Sequence, residues 1–254
     1  MTEKIICRGI EHVNIGPIKV SNVNYEIMLE CIDNAIFSDD KLTIVYANAN
    51  TLNRASSDSL FCDSINEADI VHPDGIGVFS ASKVLKMPLR ERFNWTDYGF
   101  DFLEECNERG WKIFFLGSTT ERLNKALVEL EFLYPGLQIV GCKNGYEDVD
   151  DPKIFKEINE CSPDILWVGM GSPKQEIWIY KNIDKLNCNV VQAVGDLYAL
   201  FSGEKPRGSR AIRKLGLEWM VRLFHDPRKY WKRTVIGIPK FIRNVIKLKI
   251  NKSL

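Results

Sequence analysis

From residue 42 onward, short β-branched runs alternate with helix-length amphipathic segments, and no other feature restricts the fold as sharply. Strands are predicted at Leu42–Ala47, Ile70–His72, Lys112–Leu116, Leu137–Gly141, Ile165–Val168 and Val190–Val194. The helices predicted between them are Asn50–Phe61, Ile76–Leu85, Tyr98–Arg109, Thr120–Leu133, Pro152–Cys161 and Pro173–Asn182. Strand, helix and strand recurring at roughly 25–30 residue intervals imply right-handed βαβ crossovers. The predicted fold class is therefore α/β, a Rossmann-like, mostly parallel sheet with flanking helices. Several boundaries have a local cause. Thr119 can cap the helix that Pro135-Gly136 ends, and Asp151 supplies a cap before Pro152 at the first helical position. Ser21–Phe37 reads as an additional amphipathic helix.

After Gly203 the pattern changes. Gly216–Phe224 and Lys229–Ile236 read as helices broken by Asp226-Pro227, and Pro239 precedes a last one at Lys240–Ile250. The predicted division is an α/β body over residues 1–203 and a basic helical appendage over 204–254. Charge supports it. The chain has 34 Lys+Arg and 34 Asp+Glu. From Lys205 onward there are 15 basic side chains and two acids, Glu218 and Asp226, which leaves 19 basic and 32 acidic before it. A neutral total thus hides a body of −13 and a tail of +13.

In the last predicted helix Phe241, Ile242, Val245 and Ile246 recur at helical spacing, while Lys240, Arg243 and Lys247 share another side. That pattern fits an interfacial membrane helix, or a helix docked on the core with a solvated basic face. Trp219, Tyr230 and Trp231 stand among Arg222, Arg228, Lys229, Lys232 and Arg233, a mixture suited to a headgroup layer. No run approaches the roughly 20 apolar residues that span a bilayer. Met1–Ile10 lacks the apolar core of a signal peptide, so a cytoplasmic protein, peripheral on the inner membrane face, is expected. Seven scattered cysteines without a Cys-x-x-Cys pair read as reduced thiols. Three histidines without ligand spacing give no metal site, and no cofactor is expected.

Ligands of open α/β sheets bind beyond the carboxyl ends of the strands, so four turns carry the functional argument. After the first strand, Tyr46-Ala47-Asn48-Ala49-Asn50 offers Asn48 to a sugar hydroxyl, or Asn50 as a helix cap. In His72-Pro73-Asp74-Gly75-Ile76-Gly77, Asp74 is a candidate general base beside two glycines, or a turn aspartate. Leu116-Gly117-Ser118-Thr119 has the makings of a phosphate or ribose contact at a helix start. Gly169-Met170-Gly171-Ser172-Pro173-Lys174-Gln175-Glu176 reads as a nucleotide-diphosphate cradle, with Lys174 as its cation. It is neither Gly-x-Gly-x-x-Gly nor a Walker loop, which counts against hydride transfer and ATP hydrolysis. Asp148-Val149-Asp150 matches a metal-binding Asp-x-Asp but reads better as solvated helix-start acids. Asp39-Asp40 is a surface turn.

Taken together, these segments resemble the WecG/TagA/CpsF family, glycosyltransferase family 26. The most specific motifs are Ala68 to Gly77, Gly169 to Glu176 and Gly216-Leu217-Glu218-Trp219; Glu91-Arg92, Gly145-Tyr146 and Asp226-Pro227-Arg228 follow the family's order. The resemblance implies a GT-E-type fold and inverting, metal-independent transfer from a UDP-sugar to a polyprenyl-diphosphate-linked saccharide, for cell-surface polysaccharide or teichoic-acid-type polymers. It implies Asp74 as base with Asn48 beside it. It matches Arg92 to an arginine near the donor phosphates and Gln175 to a glutamine lining the pocket, and Tyr46, Gly117, Ser118, Gly169, Gly171 and Lys174, from the turns themselves, complete the expected donor site. Arg222, Arg228, Lys229, Lys232 and Arg233 are implied as contacts to the lipid diphosphate and membrane. Tyr46, Trp95 and Ala199 depart from the family's threonine, glycine and aspartate. Rival classes are a non-catalytic membrane scaffold, a Rossmann oxidoreductase and a nucleic-acid binder using the basic tail. Homo-oligomerisation stays open.

Overall fold

The computed structural model describes residues 7, 9–205, 208–209, 212 and 216–251. A short antiparallel hairpin, β1 (His12–Ile15) and β2 (Ile18–Ser21), leads into α1 (Tyr25–Phe37). The hairpin takes Ser21 out of the predicted helix, which starts where the Asn24 side chain accepts from Ile27 N at 3.1 Å. The body follows as β3 (Leu42–Ala47), α2 (Ala49–Ala55), α3 (Ser59–Asn66), β4 (Ile70–Pro73), α4 (Ile76–Val84), α5 (Trp95–Arg109) and β5 (Lys112–Gly117). It continues through α6 (Thr120–Leu133), β6 (Gln138–Lys143), α7 (Pro152–Cys161), β7 (Ile165–Gly169), α8 (Lys174–Asn182), β8 (Val190–Ala193) and α9 (Tyr198–Phe201). Every predicted strand is present, and their sheet is parallel throughout, in the order β4-β3-β8-β7-β5-β6.

The helix expected over Asn50–Phe61 is two helices. Asp58 caps the second, accepting from Phe61 N at 3.1 Å, and so interrupts the first. Helix α5 begins a turn before the predicted Tyr98, because Asn94 accepts from Asp97 N at 2.9 Å. The Thr119 and Asp151 caps form as expected, on Arg122 N and Lys153 N.

Each central strand feeds both faces of the sheet, as a period of two requires. In β7, Leu166 and Val168 enter one core with α2, α3, α4, α7 and α8, while Ile165 and Trp167 enter the other with α1, α5, α6 and α9. The connection from β5 leads outward to β6 through α6. The one from β7 leads the opposite way to β8 through α8, on the other face. Divergence of neighbouring connections opens a crevice at the carboxyl ends of β5 and β7.

The appendage closes that end. It comprises α10 (Glu218–His225), α11 (Pro227–Trp231), a π-helical turn at Lys232–Gly237 and α12 (Ile238–Asn251). The predicted break at Asp226-Pro227 is there. Pro239 does not separate two helices as expected. It sits in the first turn of α12, directly after the widened π turn, where a proline ring has room and its missing N–H costs least. The expected single apolar side of α12 divides into two rows. Phe241 and Val245 are buried in the body's core, whereas Ile242, Ile246 and Ile250 are 51%, 51% and 55% exposed. No helix among the described residues is long and apolar enough to cross a membrane. No disulfide joins any of the seven cysteines.

Candidate active site

The register of the sheet brings the first two turns together. Tyr46 lies beside His72 and Ala47 beside Pro73 in the β3–β4 ladder, so the next pair out is Asn48 and Asp74. Asp74 N donates to Ala47 O at 2.8 Å, carrying the ladder one step past the strands. Asn48 Nδ2 donates to Asp74 Oδ2 at 3.1 Å. The cap of α2 is Asn48 rather than Asn50: its Oδ1 accepts from Asn50 N and Thr51 N at 3.0 and 3.1 Å. The two roles are one arrangement. Capping uses the amide oxygen and thereby fixes the NH₂ group on Asp74. Asp74 caps nothing, since the cap position of α4 is Gly75, at φ +83° with no side-chain bond.

A crevice of about 600 Å³ opens over this pair, lined by Tyr46, Asn48, His72, Asp74, Arg92, Trp95, Ser118, Arg122, Gly169 to Ser172, Asp196, Lys205, Glu218, Trp219, Arg222 and Arg233. Among the predicted residues, Tyr46, Arg92, Ser118, Gly169, Gly171, Arg222 and Arg233 join Asn48 and Asp74 there. Gly117, Lys174 and Gln175 do not line it. Gly117 is needed because its neighbour is backbone: a Cβ would stand 2.4 Å from Gly169 O. Gly169 likewise leaves room for the Tyr198 ring, 2.4 Å from the Cβ position, so this glycine serves packing rather than ligand approach. Gly171, at φ +80° with open space around it, is the one that presents bare backbone to the crevice.

Gln175 works from beneath. It is fully buried; its Oε1 accepts from Gly171 N (3.2 Å) and Gly195 N (3.1 Å), and its Nε2 donates to Tyr46 OH at 3.1 Å. Three turns are tied through one amide. Lys174 reaches sideways instead, donating to Gly145 O at 2.9 Å. Glu176, buried beside Gln175 and accepting from it, is pushed up to about 7 by that burial. His72 is a neutral imidazole, pushed down to about 3 because it is enclosed against Phe93 and Trp95. It is no base at neutral pH. Trp95 packs edge-on to His72 and Phe102, and the Tyr46 hydroxyl is raised by burial and by Glu176 and Asp74. Ala199 is buried in α9, outside the crevice lining.

Of the tail cations, Arg222 and Arg233 line the crevice, whereas Arg228 and Lys232 are exposed, Lys232 over the Trp231 ring. The Lys229 side chain lies outside the described residues. Arg122, Asp196 and Lys205 were not expected in the site from the sequence, and Glu218 was named only within its motif. Arg122 had a signal: a cation in the first turn of a helix opposes the macrodipole and needs a reason to be there. It is held by Glu204 at 2.7 Å and Asp196 at 3.5 Å. Among the described residues no group of three or more His, Cys, Asp or Glu side chains converges as metal ligands. Asp148 Oδ1 accepts from Asp150 N at 3.2 Å, and both acids are exposed.

An oriented carboxylate facing a cation-lined crevice at a sheet's switch point is the layout of a group-transfer site for anionic substrates. Comparison with known proteins decides the group. The sequence model of the glycosyl transferase WecG/TagA/CpsF family matches residues 13–254. The chain belongs to this family. It is 32% identical over 252 residues to the N-acetylglucosaminyldiphosphoundecaprenol N-acetyl-beta-D-mannosaminyltransferase of Staphylococcus aureus strain MW2, covering 94% of this chain and 96% of the relative. The proteins of that name from strains NCTC 8325 / PS 47 and MRSA252 match with the same identity and coverage. This member of the family is a glycosyltransferase whose crevice is closed by its own C-terminal helices.

Proposed function

We propose that this glycosyltransferase moves a sugar from a UDP-sugar to a saccharide carried on a polyprenyl diphosphate, inverting the anomeric centre without a metal ion. The relatives' names support the acceptor class, and a place in cell-surface polysaccharide or teichoic-acid-type polymer synthesis is part of the proposal. The observation that carries the mechanism is the Asn48–Asp74 contact. Asn48 occupies Oδ2, leaving Oδ1 without a partner among the described residues. Asp74 takes the proton of the acceptor hydroxyl through that oxygen. The hydroxyl oxygen bonds to the anomeric carbon as the bond to the UDP oxygen breaks, and the leaving diphosphate departs with the electron pair. Retention through a covalent intermediate would need a second free carboxylate. The two others lining the crevice are paired, Asp196 with Arg122 and Glu218 with Arg222. Arg92, Arg222, Arg233 and the Gly171 backbone face the leaving group in place of a divalent cation.

The appendage serves as the membrane contact in this reading. Nine large apolar side chains between Trp219 and Ile250 are exposed, as many as in the rest of the described residues together. Exposed Arg228 and Lys232 accompany them, each basic residue contributing about 1 kcal/mol at an anionic surface. The deciding assay offers UDP-sugars, UDP-N-acetylmannosamine first, with a short polyprenyl-diphosphate-GlcNAc acceptor. Asp74→Asn should lower turnover by about 10²–10⁴-fold while retaining UDP binding. Wild-type-like turnover in that variant removes Asp74 from the base role.

A further inference from the structure

Five cationic side chains line the crevice, Arg92, Arg122, Lys205, Arg222 and Arg233, against three carboxylates, Asp74, Asp196 and Glu218. Most of this charge is already spoken for. Arg92 pairs with Asp97 at 2.9 Å, Arg122 with Glu204 at 2.7 Å and Arg222 with Glu218 at 2.5 Å. Lys205 differs. Its backbone N–H is fixed to Ala199 O at 2.8 Å, anchoring it to the body, and its ammonium donates to the carbonyl oxygen of Asp196 at 3.3 Å. Among the described residues no carboxylate lies within ion-pair distance of it. The charged group that acts on it most strongly is Arg222, which lines the same crevice from the appendage and whose buried Nε has no partner among the described residues.

Two like charges, one from the body and one from the closing helices, thus meet in an enclosed space. Glu218, Asp196 and Asp74 offset part of their repulsion, and an anion between them would offset the rest. We propose that Lys205 is a diphosphate-binding residue of this site, gripping from the body side the anion that Arg222 meets from the appendage side. The proposal rests on the diphosphate chemistry of the proposed function. Donor and acceptor both carry that group, and the test separates them.

The charges facing Lys205 give the binding a signature. Burial, then Arg222 on α10, push its ammonium down to about 8, while Asp196 before α9, Glu218 on α10 and Asp74 before α4 oppose the fall. At pH 8 about half of the lysines are neutral in the empty site. An incoming diphosphate favours the charged form, so binding takes up about half a proton there. Lys205→Met removes both the contact and the proton. Lys205→Arg keeps a cation that stays charged at every working pH.

Calorimetric titration of the full chain with UDP, and separately with a soluble prenyl diphosphate, at pH 8 in buffers of different ionisation enthalpy tests this. Wild type should bind with uptake of about half a proton. Lys205→Met should bind about tenfold or more weakly with no uptake, and Lys205→Arg should keep affinity without uptake. Loss confined to UDP assigns Lys205 to the donor; loss confined to the prenyl diphosphate assigns it to the acceptor. Equal affinity and equal uptake in wild type and Lys205→Met, for both probes, would overturn the assignment and leave the proposed function standing. Absence of binding of either probe to wild type would overturn both.

Discussion

Asn48 joins a helix cap to the carboxylate proposed as the base, and Asn48→Asp separates the two roles. An aspartate oxygen caps α2 as well as the asparagine oxygen does, so the helix start should survive nearly unchanged. What disappears is the N–H···O contact at 3.1 Å, and a second negative charge takes its place. At that separation two unit charges repel by about 1 kcal/mol in water and about 5 kcal/mol at an effective dielectric near 20. The crevice lies between those limits, which corresponds to an upward shift of about 1–4 pH units for the pair's second ionisation, at 1.36 kcal/mol per unit. Rate against pH in the transfer assay should then show an acid limb displaced upward by at least about one unit, with most of the maximal rate recovered above it.

Stability supplies the control. A carboxylate whose folded pKa is raised keeps its full stability below the unfolded value and loses it as pH rises through the folded one. The variant should therefore match wild type in melting temperature near pH 4 and fall behind it by pH 7. Asn48→Ala behaves differently: it loses the cap, about 1 kcal/mol at every pH, and shows no displaced limb. An unshifted acid limb in Asn48→Asp, with the protein folded, would refute the argument that Asn48 holds Asp74.

Three further outcomes follow from the packing. Glu176 is raised to about 7 by burial, so it stabilises fully below the ordinary carboxylate range and loses up to about 3 kcal/mol as pH climbs from 4.5 to 7; Glu176→Gln should flatten that slope in melting curves. Gly169→Ala drives a methyl group into the Tyr198 ring and should cost more than about 2 kcal/mol, whereas Gly171→Ala meets only open space and backbone strain of about 1 kcal/mol; chemical denaturation ranks them, and the reverse order would contradict the packing. For the membrane contact, Ile242→Glu with Ile246→Glu alters the exposed row of α12 and spares the buried Phe241 and Val245. That double variant should keep its melting temperature and lose binding to anionic vesicles in sedimentation; undiminished binding would remove α12 from the interface.

The parts of this fold legible in the sequence were those with local causes. Short β-branched runs between helical patterns marked all six strands of the parallel sheet. Thr119 and Asp151 marked helix starts because a cap is a contact across three residues. The hairpin β1–β2 escaped notice because its strands are four residues each, and its packing partner, β4, is 50 positions away, with Val71 N donating to Ser21 Oγ. At the site the limit has another cause. A motif shows which residues share a turn, but not which atoms face the ligand. Within one run, Gly171 faces the crevice, Gly169 makes room for Tyr198, Lys174 turns to Gly145 and Gln175 ties three turns from below. Lys205 was visible as the first charge of a basic tail, which is how a sequence presents it. Only the return of α10 across the sheet gives that charge a neighbour in Arg222, and only enclosure makes its proton sensitive to an anion. The +13 tail is therefore two populations by geometry. Arg228 and Lys232 are exposed away from the crevice with the exposed aromatics, Lys205 and Arg222 are part-buried in its lining, and Arg233 is exposed while also lining it. The proposed function, with a soluble nucleotide donor and a lipid-linked diphosphate acceptor in one crevice, uses both.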